Sequence, residues 1–566
     1  MEKAIIYQIF TRLFGNTNTT RKHNGTLTDN GCGKLNAFTP AVLRRIKELG
    51  ATHVWYTGVI RHATTTDYTR YGIPRQHPAV VKGNAGSPYA ITDYYDIDPD
   101  LATNVEKRMN EFESIVKRTH KAGLKMIIDF VPNHVARQYK STAKPKGIAD
   151  FGENDNTGMQ FSPQNNFYYC PEQSFAADID LYHGEELPYE EFPAKATGND
   201  CFGNRPGRND WYETVKLNYG VDYCDAGGVS THFSPTPDTW KKMLDILLFW
   251  AGKGVDAFRC DMAEMVPSAF WQWVTTEVRK KHHNVKFIGE VYNPGRYREY
   301  INAGFDYLYD KVGMYDSLRG VVCGHRSATD ITRQWQTNDD IADHMLYFLE
   351  NHDEQRIASD FFAGDARKGI PALMTSALMR TNPFMLYAGQ EYGERGMDEE
   401  GFSGRDGRTT IFDYWSVDSL IHGYSSRRQL TKEEKSIEAT YKKVLNIATS
   451  ENAVTEGKFF DLMYVNPTSA DFNADRQYVF LRSNEDDLMI VLANFSDESS
   501  DCKVNIPQHA FNYLNLKKGI MEGTDLLNGE KITITLSDTD PLNLSVEAWS
   551  GRVIKISKPV GGINLS

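Results

Sequence analysis

Four short segments of the chain place acidic residues or histidine at the end of a strand-like apolar run. They are Asp129–His134, Phe258–Asp261, Phe287–Glu290 and Glu350–Asp353. The last three segments each end in a carboxylate. Cleavage of a glycosidic bond needs a nucleophile and a proton donor, and carboxyl groups commonly serve as both. The segments therefore predict chemistry at a glycosidic bond, with Asp261, Glu290 and Asp353 as the catalytic residues.

The second and third segments indicate which carboxylate is the nucleophile and which is the general acid. Residues two apart on a strand face the same side, so Arg259 and Asp261 point together. A guanidinium beside a carboxylate favours the ionised form that a nucleophile needs. Glu290, in a partly dry pocket near ionised carboxylates, is favoured as the protonated general acid. The alternative, a structural ion pair at one strand end, is weakened because Asp353 and Glu290 end further strands.

Two histidines accompany the carboxylates. His134 and His352 follow the third and seventh predicted strands, where neutral imidazoles could bind sugar hydroxyls. Taken singly, each would more often be a structural histidine. Neither has the second histidine at the spacing of a zinc site.

The predicted catalytic carboxylates need a fold that brings the C-terminal ends of several strands close together. Strand and helix patterns alternate over the first three quarters of the chain, which predicts a closed parallel (β/α)8 barrel with its site at the strand mouths. We expect this α/β barrel to comprise residues 1–135 and 237–452. Its predicted strands are 4–10, 52–60, 125–130, 255–261, 285–292, 305–310, 345–351 and 383–389.

Two regions break the alternation. Residues 136–236 are rich in Asn, Gly, Pro and Tyr, and a loop of that length is expected to form a small inserted domain after strand three. From residue 453 to 566 the pattern changes to period-two strands, which predicts an all-β sandwich. The clearest strands there are 477–482, 488–495, 532–536 and 552–556.

The amino-acid composition limits which classes of binding partner and site are expected. A net charge of −12 over 566 residues disfavours nucleic acid and anionic membrane, and permits a neutral substrate. The seven cysteines show no zinc spacing and fit buried thiols, although one bridge among Cys170, Cys201 and Cys224 is conceivable. No apolar run is long enough to span a membrane. The first strand begins at Ala4, so we expect a cytoplasmic protein, or a periplasmic or secreted one whose leader has been removed.

The four segments, in this order and spacing, resemble the signature regions of the α-amylase family of glycoside hydrolases. Three further segments resemble the same family: Ser87–Pro99 after strand two, Lys216–Asn218 at the end of the insertion and Met385–Glu391 in strand eight. The likeness covers nearly the whole chain. It implies a catalytic barrel (domain A), an inserted domain B and a C-terminal sandwich (domain C).

The resemblance also implies residue roles. Asp261 would be the nucleophile, Glu290 the acid/base and Asp353 the stabiliser of the transition state. Arg259, His134 and His352 would line the sugar site, and Tyr89 would be an aromatic platform beneath the sugar. Asn133 matches a residue that ligates calcium in many relatives, so calcium is an expected cofactor; no organic cofactor is expected.

Two departures concern specificity. Glu264 and Met265 stand where many α-amylases carry Lys-His, so a cation and an imidazole are missing on the leaving-group side. Lys216-Leu-Asn218, rather than Asp-Leu-Asn, is similar to neopullulanase-like and cyclomaltodextrin-degrading members.

These features lead us to expect a retaining hydrolase of α-1,4-linked glucans: starch, glycogen or maltooligosaccharides. Alternatives within the family are a glucanotransferase, a cyclomaltodextrinase or neopullulanase-like enzyme, and an α-1,6-glucosidase. A non-catalytic barrel relative, or a barrel enzyme with a metal-bound carboxylate cluster, fits less well. The first would lack catalytic carboxylates, and the second would leave Tyr89 and the insertion unexplained.

Overall fold

A closed barrel of eight parallel strands forms the centre of the molecule. The computed structural model describes residues 3–178, 187–396 and 404–558. The barrel strands are Ile5–Phe10, His53–Thr57, Lys125–Phe130, Ala257–Cys260, Lys286–Gly289, Tyr307–Tyr309, Met345–Phe348 and Phe384–Tyr387, and the eighth pairs with the first. This confirms the predicted barrel. Three strands end three residues earlier than predicted, at Thr57, Gly289 and Phe348, because the chain leaves the barrel there.

Helices cover the outside of the barrel. The main ones are Pro40–Glu48, Arg108–Lys121, Asp238–Gly252, Ser268–Lys281, Tyr297–Asn302, Asp316–Val322, Thr329–Thr337, Ile370–Leu378 and Lys432–Ser450. The last begins at a capping box in which Thr431 and Glu434 satisfy each other's backbone donors. The pair between strands six and seven was not predicted from the sequence. Inside the barrel, mostly apolar side chains form a separate packed core: Ile6, Trp55, Ile127, Ala257, Ile288, Tyr309, Tyr315, Leu346, Phe348 and Met385.

The register of strands three to five brings the site together. Arg259 lies opposite Asp129 on one side and Ile288 on the other. Cys260 lies opposite Gly289, so the next residues, Asp261 and Glu290, leave neighbouring strands at the same level. Parallel strands with this alignment place their C-terminal side chains at one mouth of the barrel.

A short antiparallel ladder joins the start of the insertion to its later part. Strand His134–Ala136 pairs with Thr214–Lys216, which sets His134 directly opposite Lys216. Between these strands, Tyr169–Cys170 pairs with Ala194–Lys195, and after them Val221–Asp222 pairs with Ser230–Thr231. The described part of the insertion is otherwise turns and loops. The ladder of His134–Ala136 with Thr214–Lys216 therefore anchors the insertion beside the barrel mouth.

The described part of the C-terminal region is all-β apart from three short helical segments, Asn452–Thr455, Met463–Val465 and Gln508–Leu514. Six antiparallel strands form one sheet, and Ser500–Val504 pairs with Leu542–Val546 in a second. The six are, in chain order, Lys458–Asp461, Gln477–Ser483, Asp487–Asn494, Gly519–Asp525, Lys531–Leu536 and Ser550–Ser557. The four predicted strands are present. The other four were missed, three of them because they carry many exposed polar residues that weaken the apolar alternation.

Two expectations from composition can be compared with the structure. All seven cysteines lie within the described residues and all are free thiols, so no bridge joins Cys170, Cys201 and Cys224. Within the same residues, every helix is too short or too polar to cross a bilayer.

Candidate active site

Asp261 and Glu290 share one guanidinium at the barrel mouth. Arg259 Nη1 lies 2.7 Å from Asp261 Oδ1, and Arg259 Nη2 lies 2.7 Å from Glu290 Oε2. All three side chains are at most 7% exposed. Rings of Trp55, Tyr89 and Tyr309 surround the guanidinium at 5.3–5.5 Å. Since one planar fork contacts both carboxylates, it sets their spacing and orientation together.

The two oxygens of Glu290 have different partners. Oε2 accepts from the Met262 backbone N–H at 2.8 Å, in addition to the contact with Arg259. Oε1 accepts from the Tyr292 hydroxyl at 2.6 Å. Met262 adopts a left-handed conformation with φ of 43°, which is strained for a side chain with a Cβ, and this conformation directs its N–H at Glu290. Oε2 therefore faces the Arg259 cation and one backbone donor, whereas Oε1 faces only the neutral hydroxyl of Tyr292.

Asp353 stands apart from this pair and is held by His352. The Nε2 atom of His352 lies 3.0 Å from Asp353 Oδ2 and also contacts the Tyr89 hydroxyl. Its Nδ1 lies 2.7 Å from the Gln8 side-chain amide, which fixes the ring orientation. Tyr89 itself contacts Arg259 and is 8% exposed. A chain of contacts thus joins the two halves of the site through Tyr89.

The carboxylates differ in their electrostatics. Burial raises the pKa of Asp261, the ion pair with Arg259 lowers it, and Glu290 raises it again; the net direction is upward. For Asp353, burial opposes ionisation, but His352 and Arg259 together lower the pKa to about 2. Asp353 is therefore ionised at any physiological pH.

One cavity of about 250 Å³ opens between these groups. Asp261, Glu290 and Asp353 line it, together with Tyr89 and His134. Arg259 and His352, which were expected to line the sugar site, lie behind the carboxylates and are each 1% exposed. They act on the cavity through the groups they hold.

The insertion supplies one wall of the cavity. Trp211 packs on the His134 ring with 5.2 Å between ring centroids. Lys82 Nζ lies 3.1 Å from Glu213 Oε2, a nearly buried ion pair that also lines the cavity. Burial lowers the pKa of His134 to about 3, and the charges of Lys216 and Lys82 act in the same direction. Its imidazole is therefore neutral at neutral pH.

Several of these residues were missed by sequence reasoning. Tyr292 stands two residues after Glu290, a spacing that could have revealed it. Trp211, Lys82 and Glu213 lie in irregular segments far from the motifs, and no periodicity marks them. Phe412 also lines the cavity. It lies in irregular chain after strand eight, and no periodicity marks it either.

Glu264 does not have the role its position suggested. Its carboxylate accepts from the backbone N–H groups of Tyr292 and Asn293, both at 3.2 Å, and it does not line the cavity. The carboxylate instead braces the turn that carries Tyr292.

Asn133 contacts a lysine rather than presenting a free metal ligand. Its Oδ1 accepts from Lys216 Nζ at 2.5 Å. The same ammonium lies 2.7 Å from Asp200 Oδ1 and 3.3 Å from the Met265 carbonyl oxygen. Calcium would need these oxygens at 2.3–2.6 Å, at a point already taken by a cation. Asn133 therefore does not fit calcium here, and the described residues hold no cluster of three or more acidic, His or Cys side chains suited to a metal.

Comparison with known proteins agrees with the barrel and its strand-end carboxylates. The family profile of the alpha-amylase catalytic domain matches residues 8–455. The chain belongs to the alpha-amylase family. Alpha-amylase 3 of Dictyoglomus thermophilum is 24% identical, with 81% of this chain and 79% of that protein aligned. Neopullulanase 2 of Thermoactinomyces vulgaris is 19% identical over 98% of this chain and 77% of its own length.

A solved family member has the same fold throughout. The crystal structure of the alpha-amylase from Geobacillus thermoleovorans, complexed with acarbose, superposes with a TM-score of 0.63 and 19% identity, covering 99% of each chain. The likeness in fold thus covers nearly the whole chain and includes the C-terminal sheets.

Proposed function

We propose that this family member is a retaining glycoside hydrolase that cleaves α-1,4-glucosidic bonds in starch, glycogen or maltooligosaccharides. The observation that carries the proposal is the shared guanidinium of Arg259, which contacts Asp261 and Glu290 at 2.7 Å each. Two carboxylates on one fork are kept close, as a nucleophile and an acid must be in a retaining enzyme, where about 5–5.5 Å separates them.

The first half of the reaction forms a covalent glycosyl-enzyme. Asp261 attacks the anomeric carbon while the glycosidic bond breaks, and Glu290 gives its proton to the leaving oxygen. Oε1 of Glu290 bears that proton because Oε2 faces the Arg259 cation and accepts from the Met262 N–H. Asp353, ionised and held by His352, stabilises the positive charge that develops on the sugar ring.

The second half releases the sugar. Glu290, now a carboxylate, takes a proton from water, which attacks the anomeric carbon and frees Asp261. Two inversions give net retention. If a sugar hydroxyl replaces water, the same site performs glucan transfer.

Product analysis tests the proposal. The enzyme is incubated with starch, maltotriose, pullulan, isomaltose and cyclodextrin, and the first products are followed by proton NMR. We expect α-anomers from α-1,4-linked substrates before mutarotation. β-Anomers appearing first would contradict a retaining mechanism, and turnover of isomaltose alone would contradict the α-1,4 assignment.

A second candidate is neopullulanase-like or cyclomaltodextrin-degrading activity. It is supported by Lys216 in place of the aspartate found in many α-amylases, and by the alignment with neopullulanase 2 over 98% of this chain. Cleavage of pullulan or cyclodextrin at a rate comparable with starch would favour it.

A further inference from the structure

The ammonium of Lys216 occupies a cage of oxygens between the insertion and the barrel. Asn133 Oδ1 comes from the end of strand three, Asp200 Oδ1 from the insertion and the Met265 carbonyl from the segment after Asp261. An ammonium has three donors, and three oxygens surround this one. The side chain of Lys216 is 3% exposed, so these contacts replace water almost completely.

The cage is tightly built on the insertion side. Asn133 Nδ2 donates to the Gly198 carbonyl at 2.8 Å, and the Lys216 N–H donates to Ala196 at 2.9 Å. A Cβ on Gly198 would lie 2.9 Å from His134 Cβ, so only glycine permits this approach. The loop over residues 196–200 thus closes on Lys216 and on the cavity residue His134 together.

We propose that Lys216 is a built-in cation that replaces calcium at this junction and acts as a positioning residue for the active site. It joins the loop over residues 196–200 to Asn133, which precedes His134. It also joins this loop to the 3-10 turn Ala263–Met265, which follows the nucleophile. With the ammonium in place, the three segments are held without metal.

The first experiment removes or supplies calcium. Wild-type enzyme is treated with EGTA and then titrated with calcium chloride, and Tm and calcium binding are measured by thermal melting and calorimetry. We expect no change in Tm and no bound calcium that depends on Asn133. A Tm that falls with chelation, is restored by calcium, and no longer responds in Asn133→Ala would overturn the proposal. These readouts need no glucan, so their outcome is independent of the proposed function.

The second experiment exchanges the cation. In Lys216→Asp, a carboxylate joins Asn133, Asp200 and the Met265 carbonyl, which gives a set of oxygens suited to calcium. Ligand that binds only the folded state raises Tm with concentration. We expect calcium chloride to raise the Tm of Lys216→Asp by several degrees and to leave wild type unchanged. A folded variant without this response would contradict the cage.

A matched lysine separates positioning from stability. Lys242 Nζ lies 2.8 Å from Asp238, 2.8 Å from Asn166 and 3.0 Å from the Asp150 carbonyl, away from the cavity. We expect Lys216→Met and Lys242→Met both to lower Tm. Only Lys216→Met should lower kcat, by about tenfold or more, since small misplacements at a site cost that much.

Equal kcat in the two folded variants would show that Lys216 is merely structural. If Lys216→Met does not fold, Asp200→Asn serves instead, because the Asp200 side chain is 42% exposed and its loss is milder. It should lower kcat several-fold while Lys242→Met keeps the wild-type value; an unchanged kcat would overturn the positioning role. The calcium titration of wild type remains decisive in either case.

Discussion

The floor and one wall of the cavity are built in different ways. The floor consists of carboxylates at the ends of barrel strands, fixed by register and by the buried Arg259. The wall comes from the insertion and the loop after strand two, and is held by Lys82, Glu213 and Trp211 without long strands. Groups that do chemistry are on rigid elements, whereas groups that shape the cavity are on irregular chain. We therefore expect floor variants to affect kcat and wall variants to affect KM.

The largest effects should come from the two carboxylates on Arg259. Asp261→Asn removes the nucleophile and Glu290→Gln removes the proton donor, while both keep size and most hydrogen bonds. We expect kcat to fall by about a thousandfold or more, as for other catalytic groups. Glu354→Gln, a neighbouring carboxylate outside the cavity, should keep wild-type kcat. Near wild-type activity of Glu290→Gln would refute its assignment.

The next largest effect concerns the guanidinium itself. In Arg259→Lys an ammonium cannot reproduce the fork that contacts Asp261 and Glu290. We expect kcat to fall about 100-fold, because one side chain no longer holds both carboxylates in position. Because the charge is retained, KM should change much less. A larger effect on KM than on kcat would show that Arg259 belongs functionally with the wall.

The same contrast explains what could be predicted from the sequence. Asp261, Glu290 and Asp353 were found because each ends an apolar strand, and strand order fixes where such ends meet. Arg259 was placed correctly on the face of Asp261, but its burial behind the carboxylates depends on the rings around it. Lys82 and Glu213 are distant in sequence and meet only through loop packing, so no local pattern marks their contact. The contacts of Glu264 were not predicted, because the turn at Tyr292 and Asn293 comes from the next barrel unit.

The Lys82–Glu213 pair tests the wall directly. Both residues are under 10% exposed, so Lys82→Met leaves a buried carboxylate unpaired, at a cost of about 3–5 kcal/mol. The double variant Lys82→Met/Glu213→Gln should recover part of this free energy of unfolding. We expect the double variant to raise KM several-fold with little change in kcat. Denaturant melts and steady-state kinetics are measured for wild type, the two single variants and the double variant. Additive losses in the free energy of unfolding would contradict a coupled pair.

A smaller effect should appear in the pH dependence of stability. Burial lowers the pKa of His134 to about 3, against 6.5 in the unfolded chain. Between these values the unfolded state binds a proton that the folded state does not, so stability falls as pH falls through the window. His134 should contribute roughly 1.4 kcal/mol per pH unit to the slope below pH 6.5. His134→Gln should remove it in denaturant melts between pH 7 and 5.

His53 provides the comparison for His134. Its pKa is also lowered to about 3, by burial and the charges of Lys125 and Lys47, but it begins the second strand at the opposite end of the barrel. His53→Gln should remove a similar slope and leave kcat and KM unchanged. His134→Gln should raise KM as well. If the two variants have the same kinetics, His134 has no part in the wall.

The smallest expected effect concerns substrate length on the leaving-group side. Glu264 and Met265 replace a cation and an imidazole there, and the Glu264 carboxylate is occupied by two backbone N–H groups at 3.2 Å. This side therefore offers few charged groups to grip a long polymer. We expect kcat/KM per bond cleaved to be at least as high on maltoheptaose as on soluble starch. Glu264→Gln should alter both values by the same factor, because it loosens the turn carrying Tyr292 rather than a sugar contact. A strong preference for starch, or a selective loss on starch in Glu264→Gln, would show that this side binds the polymer after all.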